Sequence, residues 1–173
     1  MRIRKSEESD LPRILAVVNE AALIYRGVIP IDQWHEPYMP KDELAREMGR
    51  GVIFWIAEEE GSLSGVIGIQ DKGPVALVRH AYVALTAQRK GVGTKLLRHV
   101  QSLVDKPILI GTWADASWAI GFYRRNGFTV LPESHKERLL RTYWSIPERQ
   151  IETSVVLADR RWLDAQQPAA ADR

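Results

Sequence analysis

Cysteine is the residue type that this 173-residue chain lacks altogether. Its absence excludes disulfide bonds, thiolate nucleophiles and cysteine-based zinc sites, and it is compatible with a reducing compartment. An excess of one charge is missing too, because 24 basic residues offset 22 acidic ones and leave a formal net charge of +2. With so small an excess, and with scattered basic residues, nucleic acid is not an expected partner.

Long apolar runs are absent as well. No stretch reaches the roughly 20 residues of a membrane-spanning helix, and the start of the chain, MRIRKSEESD, lacks the apolar centre of a signal peptide. We therefore expect a cytoplasmic protein without a membrane partner. Its 45% of apolar residues suffices for one hydrophobic core, which predicts a single domain over residues 1–165 and a frayed tail over 166–173.

Hydrophobic periodicity outlines a mixture of helices and strands. It is interrupted between positions 25 and 40, where the prolines and aromatic residues of YRGVIPIDQWHEPYMP predict an ordered loop. No element is assigned to the polar stretch that precedes the last strand. The predicted elements are a strand at 1–5, a helix up to 22, a helix at 40–49, strands from 52, 63 and 75, a helix after 91, a strand from 107, a helix at 115–126, and strands at 128–131 and from 151.

The segment QRKGVGTKLL, residues 88–97, places two glycines between a predicted strand and a predicted helix. Backbone N–H groups and the positive end of the helix dipole converge on one spot in such a loop, which suits phosphate. Gly91 and Gly93 permit positive φ angles and a close approach of ligand oxygens, and Arg89 and Lys90 add positive charge. The alternative is a plain glycine turn beside a solvated basic pair.

Two well-known phosphate loops do not fit this segment. A Walker loop has four residues between its glycines, whereas GVGTK has one. A Rossmann fingerprint needs a third small residue where Leu96 stands, and it follows the first strand of a βαβ unit rather than three hairpin-linked strands. The glycines therefore serve another kind of site.

The segment resembles motif A of the GNAT superfamily of acetyl-CoA-dependent N-acetyltransferases: Gln or Arg, two residues, Gly, one residue, then Gly or Ala. Gln88, Gly91 and Gly93 match this pattern, and Val83 lies five residues before Gln88 at the end of a strand. Downstream, ASWAIGFYRRNGF resembles motif B of the same superfamily. Its small residue, Phe-Tyr pair and closing Gly-Phe correspond to Ala119, Phe122, Tyr123, Gly127 and Phe128.

The resemblance implies a GNAT fold of the α/β (α+β) class. Its central sheet of about seven strands is mixed and mostly antiparallel, is splayed between strands 4 and 5, and has helices on both faces. It also implies acetyl-CoA as co-substrate, with the pyrophosphate on the glycine loop, the pantetheine against the main chain of Val83, and no metal. The implied cofactor contacts are Val83, Gln88, Arg89, Lys90, Gly91, Val92, Gly93, Thr94, Ser117 and Phe122, where Ser117 replaces an Asn that many relatives carry at the position of Ala116.

Direct acetyl transfer to an amine needs a neutral nucleophile, a polarised thioester carbonyl and an acid for the leaving thiolate. Tyr123 matches the tyrosine that commonly acts as this acid in the superfamily; its alternative role is a core aromatic. The usual strand-four base positions hold Arg79 and Leu77, so the base is missing there. His80 is the nearest titratable side chain, but alternation places it on the face opposite Arg79 and predicts a structural role. Glu58 to Glu60 are expected in a solvated turn.

The acceptor end of the site is expected in the loop between the first two helices. The resemblance points to Tyr25, Trp34, His35 and Glu36 there, with a packed aromatic cap as the equal alternative. Arg79 and Trp113 are further candidates for acceptor contacts.

The function implied is transfer of the acetyl group of acetyl-CoA directly to a primary amine on a small molecule or peptide, through a ternary complex. Two alternatives stay open: an acyl-CoA-binding sensor without turnover, and an acyltransferase that uses a longer acyl-CoA. The exposed edge of the last strand offers a route to a homodimer.

Overall fold

The computed structural model of the protein describes residues 1–166. Seven strands form one mixed sheet in the order β1-β2-β3-β4-β5-β7-β6, in which β4 and β5 run parallel. The strands are β1 (Arg2–Lys5), β2 (Val52–Glu59), β3 (Ser62–Asp71), β4 (Ala76–Val83), β5 (Ile108–Trp113), β6 (Thr129–Val130) and β7 (Ser154–Ala158). The helices are α1 (Leu11–Ala21), α2 (Lys41–Gly49), α3 (Val92–Leu103), α4 (Ser117–Arg125), α5 (Glu133–Tyr143), α6 (Glu148–Glu152) and α7 (Arg160–Gln166). The predicted fold class is confirmed.

The chain divides into two compact units. The first contains residues 1–71 and 78–105, that is β1 to β3, most of β4, and α1 to α3. Its centre is the long β2–β3 hairpin, in which Val52 pairs with Gln70 and Glu59 with Ser62. Tight turns with positive-φ residues, such as Glu60 and Gly61, close this hairpin as the EEGS sequence predicts.

Helix α3 lies directly on β3 because Gly65 presents no side chain to it. A Cβ atom built at Gly65 would stand 2.9 Å from Leu96 Cδ1 and 2.9 Å from Val92 Cγ1, closer than carbon atoms pack. Val92 and Leu96 are consequently buried against the strand. This contact fixes the first turn of α3, and with it the glycine loop that precedes the helix.

An ion cluster ties β1, the start of α1 and the end of β2 together. Asp10, only 2% exposed, accepts hydrogen bonds from Arg4 Nη1 at 2.7 Å and from Arg13 Nη1 at 3.2 Å. Glu58 accepts from the same two arginines. Glu58 therefore belongs to a partly buried network, which corrects the expectation that residues 58–60 form a solvated turn.

Replacing Asp10 by Asn is expected to lower the free energy of unfolding by about 2 kcal/mol at neutral pH. Fully buried pairs lose roughly 3–5 kcal/mol when one partner is removed, and Arg4 and Arg13 keep some exposure. The hydrogen bond from Arg4 holds the pKa of the Asp10 carboxyl below its usual value. A lowered folded-state pKa stabilises above the unfolded pKa of about 3.9, and this stabilisation is lost as the pH falls.

Urea unfolding at pH 7 and at pH 3 checks this expectation, because the difference in stability between the wild type and Asp10→Asn should be smaller at pH 3. Asp42→Asn is the matched control. Asp42 pairs with Arg46 one turn along α2, but its side chain is 71% exposed, so its loss should cost no more than about 0.5 kcal/mol. Equal losses in the two variants would contradict the argument.

The second unit contains residues 72–77 and the chain from 106 onward, that is β5 to β7 and α4 to α7. Strand β7 runs antiparallel to both β5 and β6, with Leu109 and Thr129 each paired to Ala158. Gly111 of β5 lies under the Trp144 ring, whose Cε2 would stand 3.2 Å from an added Cβ. The buried core of this unit includes Leu109, Leu131, Leu139, Leu140, Ile151, Val156 and Trp162.

Three helices of the second unit differ from the predicted elements. The polar stretch after β6 forms α5, which buries only Lys136, Leu139 and Leu140. The last strand does not start at residue 151, because α6 begins after Pro147 and buries Ile151, and β7 begins at Ser154. Helix α7 was not predicted; Gln166 ends it, and the rest of the expected frayed tail, 167–173, lies outside the described residues.

Within the described range, no helix combines the length and the apolar character that crossing a membrane would need.

Candidate active site

The glycine loop connects β4 to α3 in the first unit. After Val83 a short 3₁₀ turn spans Leu85–Ala87, and Gly91 then occupies the N-cap position of α3 with φ 78° and ψ 8°. This is the left-handed conformation that glycine adopts without strain, and Arg89 also has a positive φ of 61°. Gly93 lies within the first turn of α3 and does not have a positive φ. Of the two glycines, only Gly91 is therefore needed for a left-handed conformation.

The first turn of α3 is free of a capping side chain. The first N–H groups of a helix have no partner within the helix, and they point toward its N-terminal end. Gln88, Arg89, Lys90 and Gly91 are exposed there, and a Cβ at Gly91 would meet no atom within 4 Å. The loop therefore offers a concentration of positive dipoles and charges with open space in front of it, which suits an anionic group.

The other residues predicted to contact the cofactor near this loop differ in their burial and hydrogen bonds. The Val92 side chain is buried against Gly65, so only its main chain is available to a ligand. Gln88 Nε2 lies 3.5 Å from the carbonyl oxygen of Val83, at the limit of a hydrogen bond. Gly93 and Thr94 are half-buried in the first turn of α3.

An aromatic cluster lies in the same unit, centred on Tyr38. We call Tyr25, Trp34, His35, Tyr38 and Tyr82 the Tyr38 cluster. The Tyr38 ring stacks with Trp34 at 5.9 Å between ring centroids, with Tyr25 at 6.3 Å and with His35 at 6.4 Å. Tyr82 of β4 meets Tyr38 edge to face at 6.1 Å. The structure thus brings three predicted acceptor residues together with the end of the strand that leads into the glycine loop.

The loop that carries these rings is ordered, as the sequence predicts. The Asn19 side chain of α1 accepts a hydrogen bond from the Met39 N–H at 2.7 Å and donates one to the Met39 carbonyl at 3.0 Å. Met39 and Ile29 are buried. These contacts fix the backbone of the loop, and with it the positions of the aromatic rings.

Glu36, another predicted acceptor residue, is engaged within its own loop. Its Oε1 accepts from Arg26 Nε at 2.9 Å and from Trp34 Nε1 at 3.1 Å. The hydrogen bond from Arg26, followed by that from Trp34, holds the pKa of Glu36 below its usual value. His35 Nδ1 donates to the carbonyl oxygen of Pro37 at 2.9 Å. Both side chains remain exposed.

A buried ionic centre joins α2 to β4. Glu47, 4% exposed, places Oε2 at 2.6 Å from Arg79 Nη2 and at 2.6 Å from His80 Nε2. Arg79 also donates to Gln70 Oε1 at 3.0 Å. Burial raises the pKa of Glu47, but the hydrogen bond from His80 and the charge of Arg79 outweigh it and the net pKa is lowered. Burial is also the main cause of the lowered pKa of Arg79.

The prediction that His80 lies on the face opposite Arg79 is wrong. His80 has a φ of 51°, which breaks the alternation of β4 and turns its side chain toward the carboxylate that Arg79 binds. Glu47 and Tyr82 were not predicted as site residues. Glu47 could have been recognised from the sequence because it lies three residues after Leu44, on the same face of α2. A carboxylate on a buried helix face needs a partner.

The remaining predicted residues lie in the second unit. Tyr123 of α4 is buried and meets Phe122 at 5.2 Å and Phe128 at 6.1 Å between ring centroids, both edge to face. Ser117 is exposed at the start of α4, directly after the buried Ala116. Trp113 ends β5 and is half-buried.

Solved structures with the same architecture define the class of fold. PaiA N-acetyltransferase from Thermoplasma acidophilum, in complex with coenzyme A, matches at a TM-score of 0.69 and 20% identity, over 91% of this chain and 97% of that one. Ribosomal-protein-alanine N-acetyltransferase from Brucella melitensis matches at 0.60 and 19%, over 91% and 98%. N-acetylglutamate synthase from Neisseria gonorrhoeae, complexed with coenzyme A and N-acetyl-glutamate, matches at 0.61 and 20%, over 92% of this chain and 35% of that one. The fold is that of the GNAT acetyltransferases.

A family comparison of the sequence agrees with this fold. Residues 50–130 match the family model described as the acetyltransferase (GNAT) domain. This part of the chain holds the glycine loop and Tyr123, and its match confirms the resemblance drawn from the two motifs. None of the curated proteins matches the chain.

Proposed function

We propose that the protein is an N-acetyltransferase that moves the acetyl group of acetyl-CoA directly to a primary amine in a ternary complex. The observation that carries the proposal is the glycine loop, in which an uncapped helix start follows a left-handed glycine with open space before it. The match of residues 50–130 to the acetyltransferase (GNAT) domain model supports acyl-CoA-dependent acetyl transfer. The coenzyme A complexes of PaiA and of N-acetylglutamate synthase support the co-substrate.

The donor end of the proposed site is the loop between β4 and α3. The diphosphate would accept hydrogen bonds from the main-chain N–H groups of residues 91–94. The positive charges of Arg89 and Lys90 would favour binding of its negative charge. The main chain at Val83 would bind the pantetheine and stabilise the oxyanion of the thioester carbonyl. Ser117 and Phe122 are proposed as further donor contacts, and Tyr123 as the acid that protonates the CoA thiolate.

The acceptor end is proposed at the Tyr38 cluster and at Arg79. The half-buried rings of the cluster provide apolar walls for a substrate, and their faces attract an ammonium group. Neighbouring residues of the same loop remain exposed to solvent. Trp113 is a further candidate from the second unit. We propose a small molecule or peptide with a primary amine as the acceptor.

Two measurements on the purified protein test the proposal. Isothermal titration calorimetry with acetyl-CoA and CoA tests donor binding, and release of the CoA thiol over a broad panel of amines tests turnover. Absence of CoA binding would refute the proposed function. Binding without thiol release from any amine would favour a sensor, and faster release from propionyl-CoA or longer thioesters would favour a different acyl donor.

Replacing Tyr38 by Leu is expected to raise the KM for the acceptor amine about tenfold and to leave the affinity for acetyl-CoA unchanged. The leucine removes the ring that contacts the other members of the cluster, and each aromatic pair contributes about 0.5–1.5 kcal/mol. Steady-state kinetics with varied amine checks this. Tyr38→Phe is the matched control, because it keeps the ring and should keep the KM; a raised KM in both variants would assign the effect to the phenol instead.

A further inference from the structure

We propose that the acceptor is an amino acid with an aromatic side chain, whose carboxylate binds Arg79 and whose ring packs against the Tyr38 cluster. This inference rests on the proposed function and deepens it, since it names the class of acceptor. Arg79 and the cluster meet within the first unit, where the Tyr38 phenol lies close enough to the Arg79 guanidinium to interact with its charge.

Arg79 keeps hydrogen-bonding capacity for a ligand. A guanidinium has five N–H donors. Within residues 1–166, Nη1 of Arg79 donates to Gln70 Oε1 at 3.0 Å and Nη2 pairs with Glu47 Oε2 at 2.6 Å, and no further hydrogen bond or ion pair of this side chain is formed. The side chain is 19% exposed. A carboxylate, which takes two parallel N–H bonds from an arginine, therefore finds accessible donors here.

The charge of Arg79 is only partly compensated by the protein. Its partner Glu47 is shared with Arg50, whose Nη1 lies 3.6 Å from Oε1. Burial lowers the pKa of Arg79, and the opposite effect of Glu47 does not restore it. Arg50 lowers this pKa further, while Glu43 and Tyr38 have smaller, opposite effects. A cation that its surroundings disfavour is stabilised by an additional anion, and the carboxylate of the acceptor would supply it.

A second ammonium group does not suit this end of the site. Two arginines already share the carboxylate of Glu47, and like charges close together repel each other. Glu36 in the loop of the cluster is also engaged, because it accepts from Arg26 Nε at 2.9 Å and from Trp34 Nε1 at 3.1 Å. The ring faces attract the one ammonium group that reacts, but a diamine would bring its second charge against Arg79.

The aromatic rings favour an aromatic group on the acceptor. Tyr38 is the central ring of the cluster. Three other rings are nearly parallel to it, at 10° for Tyr25, 14° for His35 and 29° for Trp34, and Tyr82 meets it edge to face at 67°. Ring faces and ring edges are the surfaces on which a further ring packs, with a gain beyond the burial of its area. An alkyl side chain would obtain the burial alone.

Strand β4 determines the order of the groups of the acceptor. Arg79 and Tyr82 lie three residues apart on it, at most about 10 Å in a strand that rises about 3.3 Å per residue. Tyr82 directly precedes Val83, whose main chain is the proposed contact of the pantetheine. An α-amino acid carries its carboxylate, amine and side chain on one carbon atom, so it can reach Arg79 and the cluster at once with its amine along β4.

The reaction is then N-acetylation of the amino acid. The neutral amine forms the C–N bond with the thioester carbonyl carbon, and the C–S bond breaks. The proton that the nitrogen loses balances the one that the CoA thiolate gains, so the products are the N-acetyl amino acid and CoA. The carboxylate keeps its charge throughout and serves only for binding.

Four acceptors that differ only in ring and carboxylate test the proposal. L-phenylalanine carries both groups, phenethylamine only the ring, L-alanine only the carboxylate, and ethylamine neither. We expect the wild type to release CoA thiol with a kcat/KM for L-phenylalanine about tenfold or more above that for each of the other three, because the charged hydrogen bonds and the aromatic contact each contribute.

Binding of the acetylated products removes the influence of amine basicity, since an amide has no titratable amine. Calorimetric titration of the CoA complex with N-acetyl-L-phenylalanine and with N-acetylphenethylamine is the measurement. We expect a dissociation constant about tenfold lower for the product that carries the carboxylate. Equal dissociation constants would overturn the role of Arg79.

Arg79→Gln should reduce this tenfold ratio to within about twofold of one, because the neutral amide offers no charge to the carboxylate. Arg79→Lys keeps the charge but not the planar fork, and it should retain part of the ratio. A merely structural role of Arg79 would weaken the binding of both products alike. Arg46→Gln is the matched control: Arg46 is 55% exposed and pairs with Asp42 along α2, so its loss should leave the ratio unchanged.

The outcomes separate this inference from the proposed function. Arg79→Gln leaves Glu47 without one of its partners and can fail to fold, in which case the two products on the wild type decide. A wild type that binds no CoA overturns the proposed function and this inference together. A wild type whose kcat/KM for phenethylamine, for L-alanine or for a diamine such as putrescine is at least as high as for L-phenylalanine overturns the inference alone.

Discussion

Substituting Gly91 by Val should abolish the binding of acetyl-CoA, with a loss of affinity of more than about 100-fold, while the protein remains folded. Gly91 has a φ of 78°, which costs an ordinary residue roughly 1–2 kcal/mol and a β-branched residue more. The variant relieves this strain by moving residues 89–92, and the N–H groups at the start of α3 then no longer converge. The added side chain would also enter the open space before the loop.

Gly73→Val provides the matched control for this prediction. Gly73 has nearly the same φ of 80°, and an added Cβ would also meet no atom within 4 Å, but it lies in the turn between β3 and β4. The two variants should lose similar stability in thermal unfolding, and only Gly91→Val should lose the calorimetric signal for acetyl-CoA. Equal binding by both would show that the loop does not hold the diphosphate.

A third variant separates backbone strain from side-chain bulk. Asn tolerates the left-handed region better than other residues with a β-carbon, so Gly91→Asn keeps the loop conformation while it adds a side chain. Partial retention of binding by Asn, beside complete loss by Val, would assign the effect to the backbone.

The glycine loop could be predicted from the sequence because its information is local. The N-cap position of α3 has a left-handed conformation, and Gly91 stands there, five residues before the buried Leu96 that packs against Gly65. The positions of most strands along the chain followed from periodicity in the same way, whereas the arrangement of the sheet followed from the family resemblance. Short-range features of the sequence thus indicate the glycine loop and most of the strands.

The ionic centre could not be predicted, because it depends on pairs distant along the chain. Glu47 and His80 are 33 residues apart, and their contact requires the departure of His80 from strand geometry. Alternation along β4 predicts the opposite face for His80, and no residue in HAYV signals the exception. The same holds for Asp10 and Glu58, whose shared arginines become visible only when β1 lies beside β2.

The helices of the second unit were missed for a different reason. Helices α5 and α6 are short and mostly polar, and each buries only a few side chains, Leu139, Leu140 and Ile151 among them. Periodicity over so few apolar positions does not separate a helix from a strand or a loop. Tertiary burial, not local propensity, selects helix here.

Replacing Tyr123 by Phe should lower kcat about 100-fold and leave the affinity for acetyl-CoA and the fold intact. The phenol is the proposed acid for the CoA thiolate, and loss of a general acid costs about this factor. Phe keeps the edge-to-face contacts with Phe122 and Phe128, so packing in α4 is preserved, and loss of the buried hydroxyl costs about 1 kcal/mol of stability.

Tyr143→Phe is the control for this variant, because it removes the same hydroxyl from α5 of the same unit. Single-turnover kinetics of thiol release, with calorimetry for the donor and thermal unfolding for the fold, distinguishes the two variants. Since the leaving thiolate takes its proton in the step that breaks the C–S bond, the effect of Tyr123→Phe should be largest for thioesters of the most basic thiols. Full activity of Tyr123→Phe would leave Tyr123 with its packing role alone and would require that the thiolate takes its proton from water.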